Sequence, residues 1–166
     1  MEVRINRHGK GLLSTKVFFS DEQGFEVASV ILMGESDAVL IDTQWTLSNA
    51  HRVVAEILET GKHLKKIYIT HAHPDHYFGL GHIKDAFPDT QVIALPSDCT
   101  LINKQFFGKM EHWESVIGVA NMPRKVVGIE PLQENHFDLE GHRIEIIPEI
   151  MGDMRYNTTS GFKLLR

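Results

Sequence analysis

The chain predicts a mixed α/β fold in which helices cover a sheet, and three observations carry that expectation. Short apolar runs of strand character alternate with longer stretches of helical periodicity. Gly61, Pro88, Pro123 and Pro131 punctuate the joins between them. The composition is that of an ordinary globular protein, 42% hydrophobic and 23% charged over 166 residues. That length is enough to bury a real core within one domain spanning residues 1–166.

Taken in order, "KVFFS" and "FEVASVILMG" read as strands joined through the turn-prone "DEQG". "AVLID" follows as a short buried strand. "LSNAHRVVAEILETG" places apolar residues at 47, 50, 54, 57 and 58, a helical spacing that Gly61 stops. "KKIYIT" is again a short apolar strand. The region after His76 reads as one helix to about Phe87, closed by Pro88, with "QVIAL" the strand beyond. A longer helix is expected from Ser97 to about Val116, opened by Ser97 and Asp98. Pro123 and Pro131 mark an irregular connection. "NHFDLEGHRIEIIPE" looks like a hairpin turning near Glu140-Gly141, and "TTSGFKLLR" reads as a weak strand.

The formal charge of -5 argues against nucleic acid or an anionic membrane surface as the main partner. A single cysteine, Cys99, excludes an internal disulfide and suits a reducing compartment. The apolar run near the N-terminus is too short for a secretory signal, and no later stretch approaches a membrane span. A cytoplasmic protein is therefore expected. Ten histidines are many for this length.

Four potential metal ligands fall within "HAHPDH": His71, His73, Asp75 and His76. The odd spacing of His71, His73 and Asp75 is that of an extended segment, where alternate side chains share a side. It cannot supply the i, i+4 histidine pair of a helical zinc motif. Pro74 disfavours a helical His73 and itself suits the first position of a helix. The cluster is thus expected on a loop just past the end of a strand, with Asp75 in a first helical turn where the dipole favours negative charge. Asp42 ends "AVLID" one βαβ unit earlier. It is expected either to cap the turn before the next helix or to accept the second N–H of a ligating histidine. Imidazole and carboxylate suit zinc, iron or manganese, and a partly coordinated divalent ion can activate water and polarise an ester or phosphoryl oxygen.

"THAHPDHYFG" resembles the H-x-H-x-D-H signature of the metallo-β-lactamase fold superfamily, with Gly79 at the glycine that often follows. "AVLIDTQ" is similar to the family's upstream strand ending in a structural aspartate, and "FPDTQVIALP" to its next helix end and strand. The resemblance spans roughly residues 17 to 159 and implies an αββα sandwich and a metal-dependent hydrolase. Carried over by position, His71 and His73 would bind one metal, and Asp75 and His76 a second. Asp75 would also orient the nucleophile and relay its proton. Zinc is the implied metal, as one or two ions, with iron or manganese as alternatives.

This chain departs from the pattern where the family supplies a third histidine. A gapless match puts Asp153 there, and a one-residue shift puts Met151 or Ile150 there. No aspartate or histidine follows Asp153, so the family's late ligands have no counterpart. The fold is accordingly expected to be incomplete, with part of one apolar sheet face uncovered. A homodimer covering that face, pairing with a missing segment, or a truncated gene product would each follow. The alternative to an enzyme is a non-catalytic fragment that keeps a partial metal site and acts through association. His51, His63, His82 and His112 are expected to be solvated, and Cys99 to be a buried inert thiol.

Overall fold

The computed structural model describes residues 3–5, 11–150 and 159–164, and side-chain surroundings over residues 11–147. A seven-stranded sheet runs in chain order, β1 (Val3–Ile5), β2 (Leu13–Phe19), β3 (Ala28–Met33), β4 (Asp37–Ile41), β5 (His63–Ile69), β6 (Gln91–Ala94) and β7 (Glu130–Pro131). The first four strands pair antiparallel, and β4 to β7 pair parallel. Parallel pairing requires crossovers, and helices supply them. α1 (Leu47–Thr60) links β4 to β5, α2 (Pro74–Tyr77) and α3 (Leu80–Ala86) link β5 to β6, and α4 (Pro96–Ile117) precedes β7. A second, antiparallel sheet holds β8 (His136–Leu139), β9 (His142–Ile150) and β10 (Thr159–Leu164).

Alternation along the strands builds two cores on opposite faces of the large sheet. Ile31, Leu40, Ile67, Ile69 and Val92 face the helices and pack with Ala50, Val53, Ile57, Ile83, Ile102 and Phe106. Leu32, Val39, Ile41, Tyr68 and Ile93 face the small sheet and meet Phe137, Leu139, Ile144 and Ile146. The layers are therefore helix, sheet and sheet. This is the mixed α/β architecture expected, with helices on the outer face.

α1 follows its sequence signals closely. Thr46 caps it by accepting from the Asn49 N–H at 3.2 Å, and Gly61 ends it in the left-handed region at φ 68°. Three expectations need correction. The single helix after His76 is two, because the chain breaks at Phe78-Gly79 to dock on the loop after β4. There the Gly79 N–H donates to the Gln44 carbonyl at 2.9 Å, and a Cβ on Gly79 would collide with the Thr43 carbonyl oxygen. The long helix begins one residue earlier than expected, with Pro96 at its first position. Pro131 is not in an irregular connection. It sits in the short edge strand β7, where a missing N–H does no harm.

Candidate metal centre

The site lies at the carboxyl edge of β4 and β5, because these strands are parallel neighbours with Ile41 opposite Tyr68. Asp42 and Thr70 each stand one residue past a strand end, so their side chains meet at that edge. The Asp42 N–H still reaches the Tyr68 carbonyl at 3.0 Å. Asp42 then turns left-handed at φ 60°, as does Gln44 at φ 76°. That strained backbone costs free energy that the surrounding bonds must offset. Those bonds are dense: the Thr43 N–H donates to the His76 carbonyl at 2.8 Å, and Gln44 Nε2 donates to the Val27 carbonyl and to Ser29 Oγ.

Asp42 is only 4% exposed, and it organises the histidines from beneath. Its Oδ1 accepts from the Thr70 N–H at 2.9 Å, and its Oδ2 accepts from Thr70 Oγ1 at 2.8 Å. Oδ2 also accepts from His76 Nδ1 at 2.7 Å. Since the Thr70 hydroxyl proton is directed at Asp42, Oγ1 is the acceptor toward His71 Nδ1, 2.9 Å away. Nδ1 of His71 therefore carries the hydrogen, and the lone pair lies on Nε2. The relay sets the tautomer of His71 through Thr70 and holds His76 directly. Asp42 thus acts on imidazoles, whereas the helix cap falls to Thr46.

On the open side the four side chains form two close pairs. His71 Nε2 lies 3.1 Å from His73 Nδ1, and His76 Nε2 lies 3.3 Å from Asp75 Oδ2. Donors about 2.0–2.2 Å from a tetrahedral ion stand roughly 3.3–3.6 Å from each other. The His76–Asp75 pair falls at that spacing and the His71–His73 pair is slightly tighter, so each supplies donors of suitable chemistry close to one edge of a coordination polyhedron. His73 precedes α2 in an extended conformation, φ -89° and ψ 138°, and Pro74 opens the helix, as the spacing implied. Among the described residues, however, no group of three or more His, Cys, Asp or Glu side chains is arranged to hold one ion. Asp153 lies outside the described residues.

The electrostatics follow from this packing. Burial works against a charged His76, but the charge and hydrogen bond of Asp42, and those of Asp75, outweigh it and raise its pKa to about 10. Burial likewise pushes Asp75 up, yet the hydrogen bond and charge of His76 prevail and hold the carboxyl below its ordinary value. Tyr77 is driven up by burial and by the Asp75 charge. Lys109, half-buried on α4, is lowered by burial and partly restored by Asp75.

Sequence reading missed Thr70 as a working residue. Its only signal was a hydroxyl at the junction of strand and histidine run. The other histidines are dispersed. His51, His63 and His112 are exposed as expected. His82 is half-buried against His51 rather than fully solvated. His136 pairs with Glu134 at 3.1 Å, and His142 is buried on β9. Cys99 is buried, and burial raises its thiol pKa, the inert state expected of it.

Residues 23–149 match the sequence profile of the metallo-beta-lactamase superfamily. The chain belongs to the metallo-beta-lactamase superfamily. Solved metallo-beta-lactamases share its fold. The native FEZ-1 enzyme from Legionella gormanii aligns with a TM-score of 0.64 at 19% identity, over 93% of this chain and 55% of its own. A metallo-beta-lactamase with a HARLDQ motif from Cronobacter sakazakii aligns at 0.62 and 18%, over 92% and 56%. MEM-A1, a subclass B3 metallo-beta-lactamase from a soil metagenome library, aligns at 0.57 and 17%, over 92% and 53%. This superfamily member thus spans a little over half the length of the solved structures it matches. Among curated proteins no match is found. Among the described residues, no helix is long and apolar enough to cross a membrane.

Proposed function

We propose that this chain carries the metal-binding part of a metallo-hydrolase centre that acts on a small-molecule ester, lactone, thioester, lactam or phosphoester. His71 and His73 would hold one ion, and Asp75 and His76 would hold a second or share the first. Zinc suits these donors best, with iron or manganese as alternatives. The observation that carries the reading is the paired spacing, 3.1 Å for His71–His73 and 3.3 Å for His76–Asp75, backed by a buried carboxylate that orients the imidazoles.

A bound divalent ion would supply an activated water and polarise the scissile carbonyl or phosphoryl group. The chain's own residues have separate tasks. Thr70 and Asp42 hold His71 and His76 in fixed orientations, so little reorganisation is needed on binding. Asp75, kept ionised by its surroundings, is the group we assign to orienting the nucleophile and accepting its proton. Donors beyond these four must complete the centre. Asp153 is one candidate, and a second copy of the chain covering the sheet face is another.

A second reading is a non-catalytic chain with a partial metal site, and the lack of a three-donor group among the described residues favours it. Two protein donors per ion hold zinc poorly, because catalytic sites generally use three. Metal content per chain, measured with oligomeric state on the wild type and on a His71→Ala/His73→Ala variant, separates the two. Retention of about one to two ions by the wild type and loss in the variant supports the hydrolase centre. Metal near zero in both, after zinc, iron and manganese are offered, rejects it.

A further inference from the structure

We propose that a cavity bounded by α2, α3, α4 and the segment entering β7 binds a small neutral carbonyl compound with an apolar ring, whose oxygen accepts a hydrogen bond from Tyr77. The cavity measures about 150 Å³, a size that an apolar ring such as benzene fills. Its walls include Tyr77 and Phe78 at the end of α2, Leu80 on α3, Ile102 and Phe106 on α4, and Val127 ahead of β7. Three aromatic rings make up one side. Tyr77 and Phe78 have centroids 5.4 Å apart, and Phe106 stands 6.1 and 6.0 Å from them. The remaining side comes close because α3 carries a glycine there. A Cβ on Gly81 would stand 3.0 Å from Lys125 Cγ and 3.3 Å from the Lys125 carbonyl oxygen.

Two independent observations point to an occupant. Tyr77 is only 2% exposed, and its hydroxyl is buried with no hydrogen-bond partner among the described residues. A stranded buried hydroxyl costs free energy that a bound acceptor would recover. A phenol is protonated at neutral pH and so offers a donor. A carbonyl accepts from it and brings no hydrogen of its own to strand, which an alcohol in an apolar cavity would. The second observation is the apolar rim. Phe107 and Val126 both line the cavity, yet they are 71% and 54% exposed. Large apolar side chains gathered exposed at one opening mark a binding surface more than scattered ones do. Lys125 is the one charged residue among those lining the cavity, and Asp85 already pairs with it. An apolar enclosure with a single polar contact therefore selects a neutral ligand.

The position gives such a ligand a consequence. Tyr77 follows His76 directly in the same short helix. An occupant bonded to Tyr77 would buttress the turn that carries Asp75 and His76. The cavity itself needs no metal, so this inference does not depend on the hydrolase reading.

Acetophenone, which has no bond for a hydrolase to cleave, and its hydrocarbon analogue ethylbenzene test the site. Each is titrated into the full chain in chelator, with binding followed by ligand-observed magnetic resonance and thermal shift. Acetophenone should bind and raise the Tm. Tyr77→Phe should weaken acetophenone about tenfold while changing ethylbenzene by less than about twofold. Asn103→Trp, at an exposed position lining the cavity, should exclude both compounds. Ligand-free Tyr77→Phe should melt no lower than wild type, because the hydroxyl it removes has no partner to lose. Absent acetophenone binding, equal affinity in Tyr77→Phe, retained binding in Asn103→Trp, or a lowered Tm of ligand-free Tyr77→Phe would each overturn the site.

Discussion

Strand β4 is tied at each end by a carboxylate, and the two ties differ in their partners and in their burial. At the carboxyl end Asp42 is buried and accepts from a backbone N–H, a hydroxyl and an imidazole. At the amino end Glu140, in the β8–β9 turn, accepts from the backbone N–H groups of Glu35, Ser36 and Asp37 at 2.5, 2.7 and 2.8 Å. This second tie is solvent-exposed and joins the two sheets. One carboxylate faces imidazole and hydroxyl groups, and the other faces backbone amides and the nearby charge of Lys62. The first end of β4 thus gathers titratable side chains, while the second only holds backbone.

The comparison makes its strongest prediction at Asp42. Asp42→Ala leaves the buried Thr70 and the half-buried His76 without their acceptor and should cost about 3–5 kcal/mol in urea unfolding. Glu140→Ala removes bonds that water can replace and should cost about 1 kcal/mol. Equal losses would erase the distinction between the two ties. Gly79→Ala comes next, because its Cβ meets the Thr43 carbonyl oxygen and both backbones must shift. A loss of about 2–3 kcal/mol is expected, together with weaker metal retention.

The two ends should also respond to pH in opposite senses. His76 is raised in the folded state to about 10. Its contribution is therefore fully present below the unfolded value near 6.5 and is lost as pH rises from there through about 10. Metal-free protein in chelator should lose stability across that window, and Asp42→Asn should flatten the loss. For Glu140, burial pushes the carboxyl up, but the three backbone N–H groups and the charge of Lys62 hold it below its ordinary value. Its contribution is present above the unfolded value of about 4.3 and fades as pH falls through the lowered folded one. Glu140→Gln should remove that acid-side slope, the smallest effect of the set. A slope that persists in the variant would assign it to other carboxylates.

Much of this was legible in the residues themselves. Apolar spacing and Gly61 marked α1, Pro74 placed the start of α2, and Glu140-Gly141 marked the hairpin turn. The candidate ligands were equally visible, because four of them crowd one short segment. The break between α2 and α3 was not, since nothing in "YFGLGH" announces that Gly79 must touch the loop after β4. Thr70 was passed over for the same reason. Its role comes from Asp42, a residue twenty-eight positions away that parallel pairing brings alongside.

By itself the sequence determined what depends on neighbours along the chain: which segments are strands or helices, where they stop, and which residues could ligate a metal. Local propensity and side-chain periodicity act over a few residues, so a single chain displays them. Only the tertiary structure decided what depends on distant segments meeting. It set the strand order that brings Asp42 to Thr70 and His76, the approach of Gly79 to Thr43, the contact of His51 with His82, and the latch of Glu140 across two sheets. These contacts form because packed backbones leave few ways to satisfy buried polar groups, and that constraint acts through space rather than along the sequence.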